Sequence, residues 1–510
     1  MTGFDINPMA WWIVRQEIGR LDLSVYREAA ARIGEALERS VGDFYRTRCE
    51  CCGRPEVPVK YFLWVKTRRC VSCQQRLDLF PGYLLAEQGR HPRNVLVCSC
   101  CGGLVEVDSI QNPGSCPHCS APLVMKGPAL RNRCACPRCG VSNRYPDAAC
   151  GPPEHRMFAI EYHCPSCRPG HAGRFFKKPD GDDQRRFEEA ARVEAEGTSR
   201  FVPLDEIPSG DETARLHRWG YRRYRELFNP RQLLGLNTLC REVLAVSNPA
   251  VCDALATNVS DLLRYQNMLC RFDTMALKSL EIFSVHGFPV GLVQCESNLL
   301  GIRNVGHGTS VGSGGWTNIV DKYLRAKAYC ERPFEVQVTG RRKAVVFMEG
   351  EWIGDRSDGF PGQVRGVELH CASSTDASLP EASLDAVFTD PPYFANVQYA
   401  ELMDFCHVWL RRLVGERYPE FGVPTTRNPD EFTGNVTLSR GLEHFTHGLS
   451  RVFQSMTRAL KPGGPMAFTY HHNALEAYFT IASAILDSRT PDVVIKSARF
   501  FSTIESDICQ

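Results

Sequence analysis

LDAVFTDPPYF, Leu384 to Phe394, decides the reading of this 510-residue chain. Leu384, Ala386, Val387 and Phe388 form an apolar run of strand length ending in Thr389-Asp390. Asp390 is therefore expected at the carboxyl end of a buried strand, where open α/β sheets place their ligands. Pro391 and Pro392 each lock their own φ and restrict the residue before them, which aims the Asp390 carboxylate and the Asp390 and Pro391 carbonyls in set directions. An amine held by those acceptors keeps its lone pair free to attack a methyl cation donor, and Tyr393 can stack on a flat heteroaromatic ring. The same residues also make an ordinary turn after a strand, so the flanks have to decide.

The flanks favour a sheet unit. FANVQYAELMDFCHVWLRRLVG follows the tetrapeptide, and the run from Leu442 to Leu460 carries apolar residues at helical spacing: Leu442, Phe445, Leu449, Phe453 and Met456. Lys461-Pro462-Gly463-Gly464 then leads into the strand-like MAFTYHH. A helix, a PGG turn and a strand are what the next unit of a doubly wound sheet requires.

With 60 basic and 58 acidic residues the net charge is +2, so any nucleic-acid surface must be local. No apolar run has the length of a membrane span and the N-terminus lacks the basic and apolar regions of a signal peptide; no membrane partner and a cytoplasmic location are expected. Of 24 cysteines, 16 lie between Cys49 and Cys167, mostly as CxxC pairs. In a reducing compartment such pairs read as metal ligands, not disulfides.

Taken in order, the pairs form three zinc ribbons. Cys49, Cys52, Cys70 and Cys73 make the first, Cys98, Cys101, Cys116 and Cys119 the second with a short gap, and Cys136, Cys139, Cys164 and Cys167 the third with a long one. Gly53, Gly102 and Gly140 follow their pairs and free backbone N–H groups to approach thiolate sulfur. Four thiolates close a tetrahedral shell, so up to three structural zinc ions are expected. Cys51, Cys100 and Cys134 are alternative ligands, and Cys150 has no obvious mate.

Basic and aromatic residues interleave in KYFLWVKTRR (Lys60 to Arg69), in GRFFKKP (Gly173 to Pro179) and in RLHRWGYRRYRELFNPRQ, which begins at Arg215. Such stretches either grip phosphates and stack bases or bury their aromatics and leave the cations in water. DGDDQRRFEEAARVEAEGTSR, 180–200, reads as a linker entering a solvated helix, and the region from Glu212 to about Phe283 as mainly helical. Lys343 to Met348 and Gly362 to His370 read as strands.

At the start, Gly3-Phe4-Asp5 followed by Asn7-Pro8 reads as the end of a strand of a nucleotide-binding sheet, with Asp5 accepting from ribose hydroxyls and a helix running through Trp11, Trp12, Val14 and Ile18. A glycine-rich loop is then expected before Asp5, supplied by a missing N-terminal half or by a partner subunit. Gly301 to Trp316, with glycines at 301, 306, 308, 312, 314 and 315, is a substitute candidate, but without an apolar strand in front it reads as a loop.

These features together resemble the amino-group methyltransferases with an Asp-Pro-Pro-Tyr motif. More narrowly, the chain is similar to a prokaryotic family of adenine-specific DNA methylases whose zinc ribbons lie between two halves of the catalytic domain. The shared segments are FDINPMAWWIV, YFLWVKTRRC, EYHCPSC, TDPPYFANVQYAELMDFCHVWL and LKPGGPMAFTYHH. The resemblance implies S-adenosylmethionine as methyl donor and DNA as partner, with RNA the alternative. It implies Asp390, Pro391, Pro392 and Tyr393 as catalytic residues, Phe394 as support, and Asp5, Asn7 and Asp390 as cofactor contacts. HCASS, His370 to Ser374, falls where the family's third strand ends but lacks its usual acidic residue. The stretch after Arg489 departs from the family.

The expected fold is therefore α/β: a Rossmann-like methyltransferase domain in two pieces, 1–44 and 334–510, split by zinc ribbons over 45–178 and a mainly helical insert over 179–333. The expected reaction is methyl transfer to the exocyclic N6 amine of a flipped adenine. Cytosine N4 or RNA methylation is the near alternative, and an inactive zinc-ribbon DNA-binding relative the distant one.

Overall fold

The computed structural model describes residues 1–167, 171–304, 309–340, 342–354, 366–395, 397–435, 437–470, 472 and 475–487. The protein is mixed α/β with several small sheets. It divides into two compact units, one built from Met1–Cys371 and Gln398–Asn428, the other from Ala372–Val397 and the residues from Pro429 on.

The larger unit is organised by the strand Val57–Arg69, the centre of a six-stranded sheet. Glu154–His163 pairs antiparallel on one side of it and Val293–Ser297 on the other, with Arg174–Lys177 beyond the former. Arg46–Thr47 and Arg76–Asp78 pair with its two ends. Burial explains this strand: Tyr61, Leu63 and Val65 pack with Phe158, Ala159 and Cys295 in one apolar cluster.

Several charged groups inside this sheet are paired, although Lys66 Nζ is not. Arg231 lies wholly buried, with Nε and Nη2 each donating at 2.7 Å to the Glu296 carboxylate. Trp64 Nε1 donates to the same carboxylate at 2.9 Å, and the guanidinium lies 3.5 Å from the Phe62 ring centroid. Lys60 Nζ donates to Glu161 at 2.8 Å. The stretch KYFLWVKTRR is thus mostly core, from Lys60 through Thr67, with both lysines buried along with the aromatics, while Arg68 is half-buried and Arg69 exposed.

Helices Leu23–Val41, Pro230–Leu244 and Pro249–Leu263 pack on one another in the same unit, and Arg231 of the second reaches the sheet. Pro and Asn start two of them: Asn229 and Asn248 cap the helices that begin at Pro230 and Pro249. Such a cap stabilises by about 1 kcal/mol. The segment from Arg215 is not one helix but Thr213–Arg218, a turn, and a short 3₁₀ segment at Tyr224–Leu227. Tyr221 and Tyr224 are buried while Arg222 and Arg223 face solvent. Lys177 of GRFFKKP is also buried, held by Asp180 and Asp183.

The strand Thr2–Asp5 pairs in parallel with Glu368–Cys371 in this unit, and Phe4 stacks on His370 at 4.7 Å. The helix Pro8–Ile18 follows as expected, with Trp11 and Trp12 buried, although Val14 is exposed. Within Gly301 to Trp316, Ile302–Asn304 pairs antiparallel with Thr309–Val311, and the helix Trp316–Glu331 follows. Gly306 and Gly308 lie outside the described residues, as do residues 362–365 of the expected strand and everything after residue 487.

In the smaller unit the strand Val387–Thr389 pairs in parallel with Met466–Phe468. Helix Leu442–Ala459 precedes the Lys461 to Gly464 turn and buries Phe445, Leu449, Phe453 and Met456, as their spacing requires. Gly463 occupies the turn at φ 81°. Among the described residues this unit's parallel strands form a two-stranded sheet. One consequence is that Phe388, expected in a buried strand, is 81% exposed. Its strand has a single described neighbour, and a two-stranded ribbon leaves much of its surface uncovered.

Candidate metal centres and the Asp-Pro-Pro-Tyr loop

The cysteines gather into three four-cysteine clusters, but not in chain order. The clusters are Cys49, Cys52, Cys164 and Cys167; Cys70, Cys73, Cys136 and Cys139; and Cys98, Cys101, Cys116 and Cys119. The middle ribbon is as expected. The other two expected sets exchange halves, so the first pair meets the last and the second meets the fifth.

The long strand dictates this nesting. Val57–Arg69 separates Cys52 from Cys70, and a strand of that length spans about 40 Å. Two pairs at its opposite ends cannot share one ion. Antiparallel pairing with Glu154–His163 places Tyr162 opposite Val59 and Glu154 opposite Thr67. One end thus brings Cys164 and Cys167, just after His163, to Cys49 and Cys52, and at the other end the hairpin of Arg133–Ala135 and Ser142–Arg144 brings Cys136 and Cys139 to Cys70 and Cys73.

The geometry fits tetrahedral thiolate ligation. Sγ–Sγ distances are 3.8 Å for Cys49 and Cys167, 3.7 Å for Cys52 and Cys164, 3.6 Å for Cys70 and Cys139, and 3.5 Å for Cys73 and Cys136. In the middle cluster they are 3.6 Å for Cys98 and Cys119 and 3.7 Å for Cys101 and Cys116. A tetrahedron of Zn–S bonds of ~2.3 Å has edges of about 3.8 Å, whereas a disulfide needs roughly 2 Å. These three clusters fit zinc.

The knuckle turns repeat one pattern. The amide of the residue four after the leading cysteine returns to that cysteine's carbonyl, as Gly53 does to Cys49, Gln74 to Cys70 and Ser120 to Cys116. That residue sits at positive φ: 74° at Gly53, 68° at Gly102, 72° at Gly140, 59° at Gln74 and 60° at Ser120. The glycine signal found three of these turns, and the non-glycine two carried no such mark. The Cys73 backbone N–H lowers the Cys70 thiol, while the neighbouring sulfurs raise that of Cys73, a mutual repulsion of thiolates that a divalent cation would relieve. Cys51, Cys100 and Cys150 are exposed and Cys134 is buried, none of them in a cluster.

The Asp-Pro-Pro-Tyr loop leaves the carboxyl end of Val387–Thr389, with Asp390 exposed and Pro391 buried. Thr469 Oγ1 donates to Asp390 Oδ1 at 3.2 Å. Tyr393 meets Tyr470 edge to face at 5.6 Å. Phe394 packs on Phe445, and its carbonyl accepts from His472 Nε2 at 2.8 Å. Sequence reading did not single out Thr469, Tyr470 or His472; their only signal was the strand-like MAFTYHH, whose His471 lies outside the described residues.

In the larger unit, Asp5 ends its strand with Oδ1 accepting from the Asn7 amide at 2.8 Å. Asn7 Oδ1 accepts in turn from Met9 N at 2.9 Å. The Asn7 side chain is thus occupied as a helix cap, which leaves Asp5 the better candidate for ligand contact. Sequence reading also missed a cleft of about 550 Å³ in this unit, where Arg90, Arg174 and Lys278 converge. Arg174 lies in the basic and aromatic stretch GRFFKKP, but Arg90 and Lys278 come from segments far apart in the chain, and no local pattern joins them to it.

No helix among the described residues is long and apolar enough to cross a membrane. No family model, no curated protein and no solved structure matches this chain.

Proposed function

We propose that this chain is an S-adenosylmethionine-dependent DNA methyltransferase acting on the N6 amine of a flipped adenine. The observation that carries the reading is the Asp390 to Tyr393 loop, which leaves the carboxyl end of a parallel strand with its carboxylate exposed and an aromatic pair beside it. In this reading the Asp390 carboxylate and the Pro391 carbonyl accept the amine's hydrogens, and Tyr393 stacks on the base. S-adenosylmethionine would supply an electrophilic methyl group. Asp5, at the end of its own parallel strand, would accept from the ribose. The zinc clusters would hold the insert rigid, and the cleft with Arg90, Arg174 and Lys278 offers a local phosphate surface on a chain of near-zero net charge. Cytosine N4 or RNA would suit the same acceptors.

A second reading is a zinc-ribbon nucleic-acid-binding protein without catalysis, which the three four-cysteine clusters would serve equally well. Calorimetry on the full-length chain separates the two. The enzyme reading expects S-adenosylmethionine to bind and methyl label to reach DNA, and Asp390→Ala to cut transfer at least 100-fold with zinc content unchanged. Absence of donor binding would sink it, and full activity in Asp390→Ala would remove Asp390 from its role.

A further inference from the structure

Outside the cysteine clusters, His91, Glu106 and His171 bring their ligand atoms within 4.8 Å of one another. We propose that these three residues form a fourth metal site, for a single zinc-class divalent ion with one coordination position left to water. Two imidazoles and a carboxylate are the ligand set that borderline ions such as zinc accept, and three protein ligands leave an open position.

The geometry is prepared for an ion. His91 is buried, and its Nδ1 lies 2.8 Å from the Arg93 carbonyl. The Arg93 amide also lies 3.4 Å from this nitrogen, but the shorter contact is to a carbonyl, which only accepts; it favours the proton on Nδ1 and leaves the Nε2 lone pair for an ion, as in metal-bound histidines. Glu106 Oε1 lies 3.7 Å from His91 Nε2 and 2.8 Å from His171 Nε2. Its second oxygen faces Arg93 Nη1 at 3.8 Å, while Arg93 Nε is engaged by Asp108 at 2.9 Å. The rings of His91 and His171 lie 4.9 Å apart, with Phe175 and Phe176 against them. Two imidazoles converging on one carboxylate oxygen are more than an ion pair requires.

The location gives the site a purpose. His91 stands in the turn before Asn94–Val97, and Glu106 lies on Leu104–Val107, both in the middle ribbon. His171 follows the Cys164 and Cys167 knuckle of an outer ribbon. An ion here would join two ribbons that otherwise bind zinc independently. His91 and Arg90 are neighbours in the chain, as are His171 and Ala172, and Arg90 and Ala172 line the basic cleft.

Native mass spectrometry and metal analysis of the full-length chain at saturating zinc test this. The expected result is four equivalents, and three in a His91→Gln/His171→Gln double variant. Cobalt(II) distinguishes the ligands: the fourth ion should add d–d bands without thiolate charge transfer, whereas the cysteine clusters show both. If the double variant fails to retain the thiolate bands, Glu106→Gln on the partly exposed Glu106 decides, with cobalt affinity at this site expected to fall at least tenfold. Three equivalents in the unaltered chain, a fourth retained by the double variant, or unchanged cobalt uptake in Glu106→Gln would each overturn the proposal.

Discussion

Lys66 shows how a single residue can defy its composition class. It lies wholly buried in the central strand, its Nζ without a hydrogen-bond partner and 5.5 Å from the Trp219 ring centroid. Burial pushes its ammonium down to about 7 from 10.5, and His155, buried and close enough to feel the Lys66 charge, is pushed down as well. Between pH 7 and 10.5 the unfolded chain holds a proton that the folded chain has released. Stability contributed by Lys66 therefore rises with pH across that window, by at most about 1.4 kcal/mol per unit. Urea midpoints measured from pH 7.5 to 9.5 should climb in the natural protein and climb less in Lys66→Met. Glu296 is the opposite case, a buried charge fully paired with Arg231. Glu296→Gln should destabilise by roughly 3–5 kcal/mol, because it leaves a buried guanidinium uncompensated; a loss under 1 kcal/mol in denaturant titration would contradict that account.

Elements carry the nested ribbons. Each cysteine knuckle is local, yet which two knuckles share an ion depends on the pairing of Val57–Arg69 with Glu154–His163. Double variants separate the two arrangements. Cys52→Ala with Cys164→Ala should lose one zinc, because both serve the same ion, whereas Cys52→Ala with Cys73→Ala should lose two. Ribbons in chain order would give the reverse, and zinc analysis reads the difference directly. The Leu442–Ala459 helix and its turn into Met466–Phe468 were legible because helical spacing and Pro-Gly-Gly are local signals. KYFLWVKTRR left its role open, because two lysines on a strand look like a surface until their buried partners, or lack of them, are seen.

At the scale of the whole molecule, the outer clusters close both ends of the central ribbon and the middle cluster closes a separate three-stranded sheet. Stripping zinc with a strong chelator under reducing conditions should lower the Tm by on the order of 10 °C or more and expose thiols to titration, since metal-binding energy in such ribbons is folding energy. An unchanged melting curve with all zinc removed would make the clusters incidental.

The sequence alone determined the ligand inventory, the tight turns marked by glycine, the helix start at Asn7-Pro8, and the placement of Asp390 at the end of a strand. All of these are written within a few residues of chain. Only the tertiary structure decided which cysteine pairs share an ion, which cations are buried, and that His91, Glu106 and His171 converge. Those outcomes depend on strand pairing and packing between segments as much as a hundred residues apart, and periodicity and spacing, being local, do not encode them.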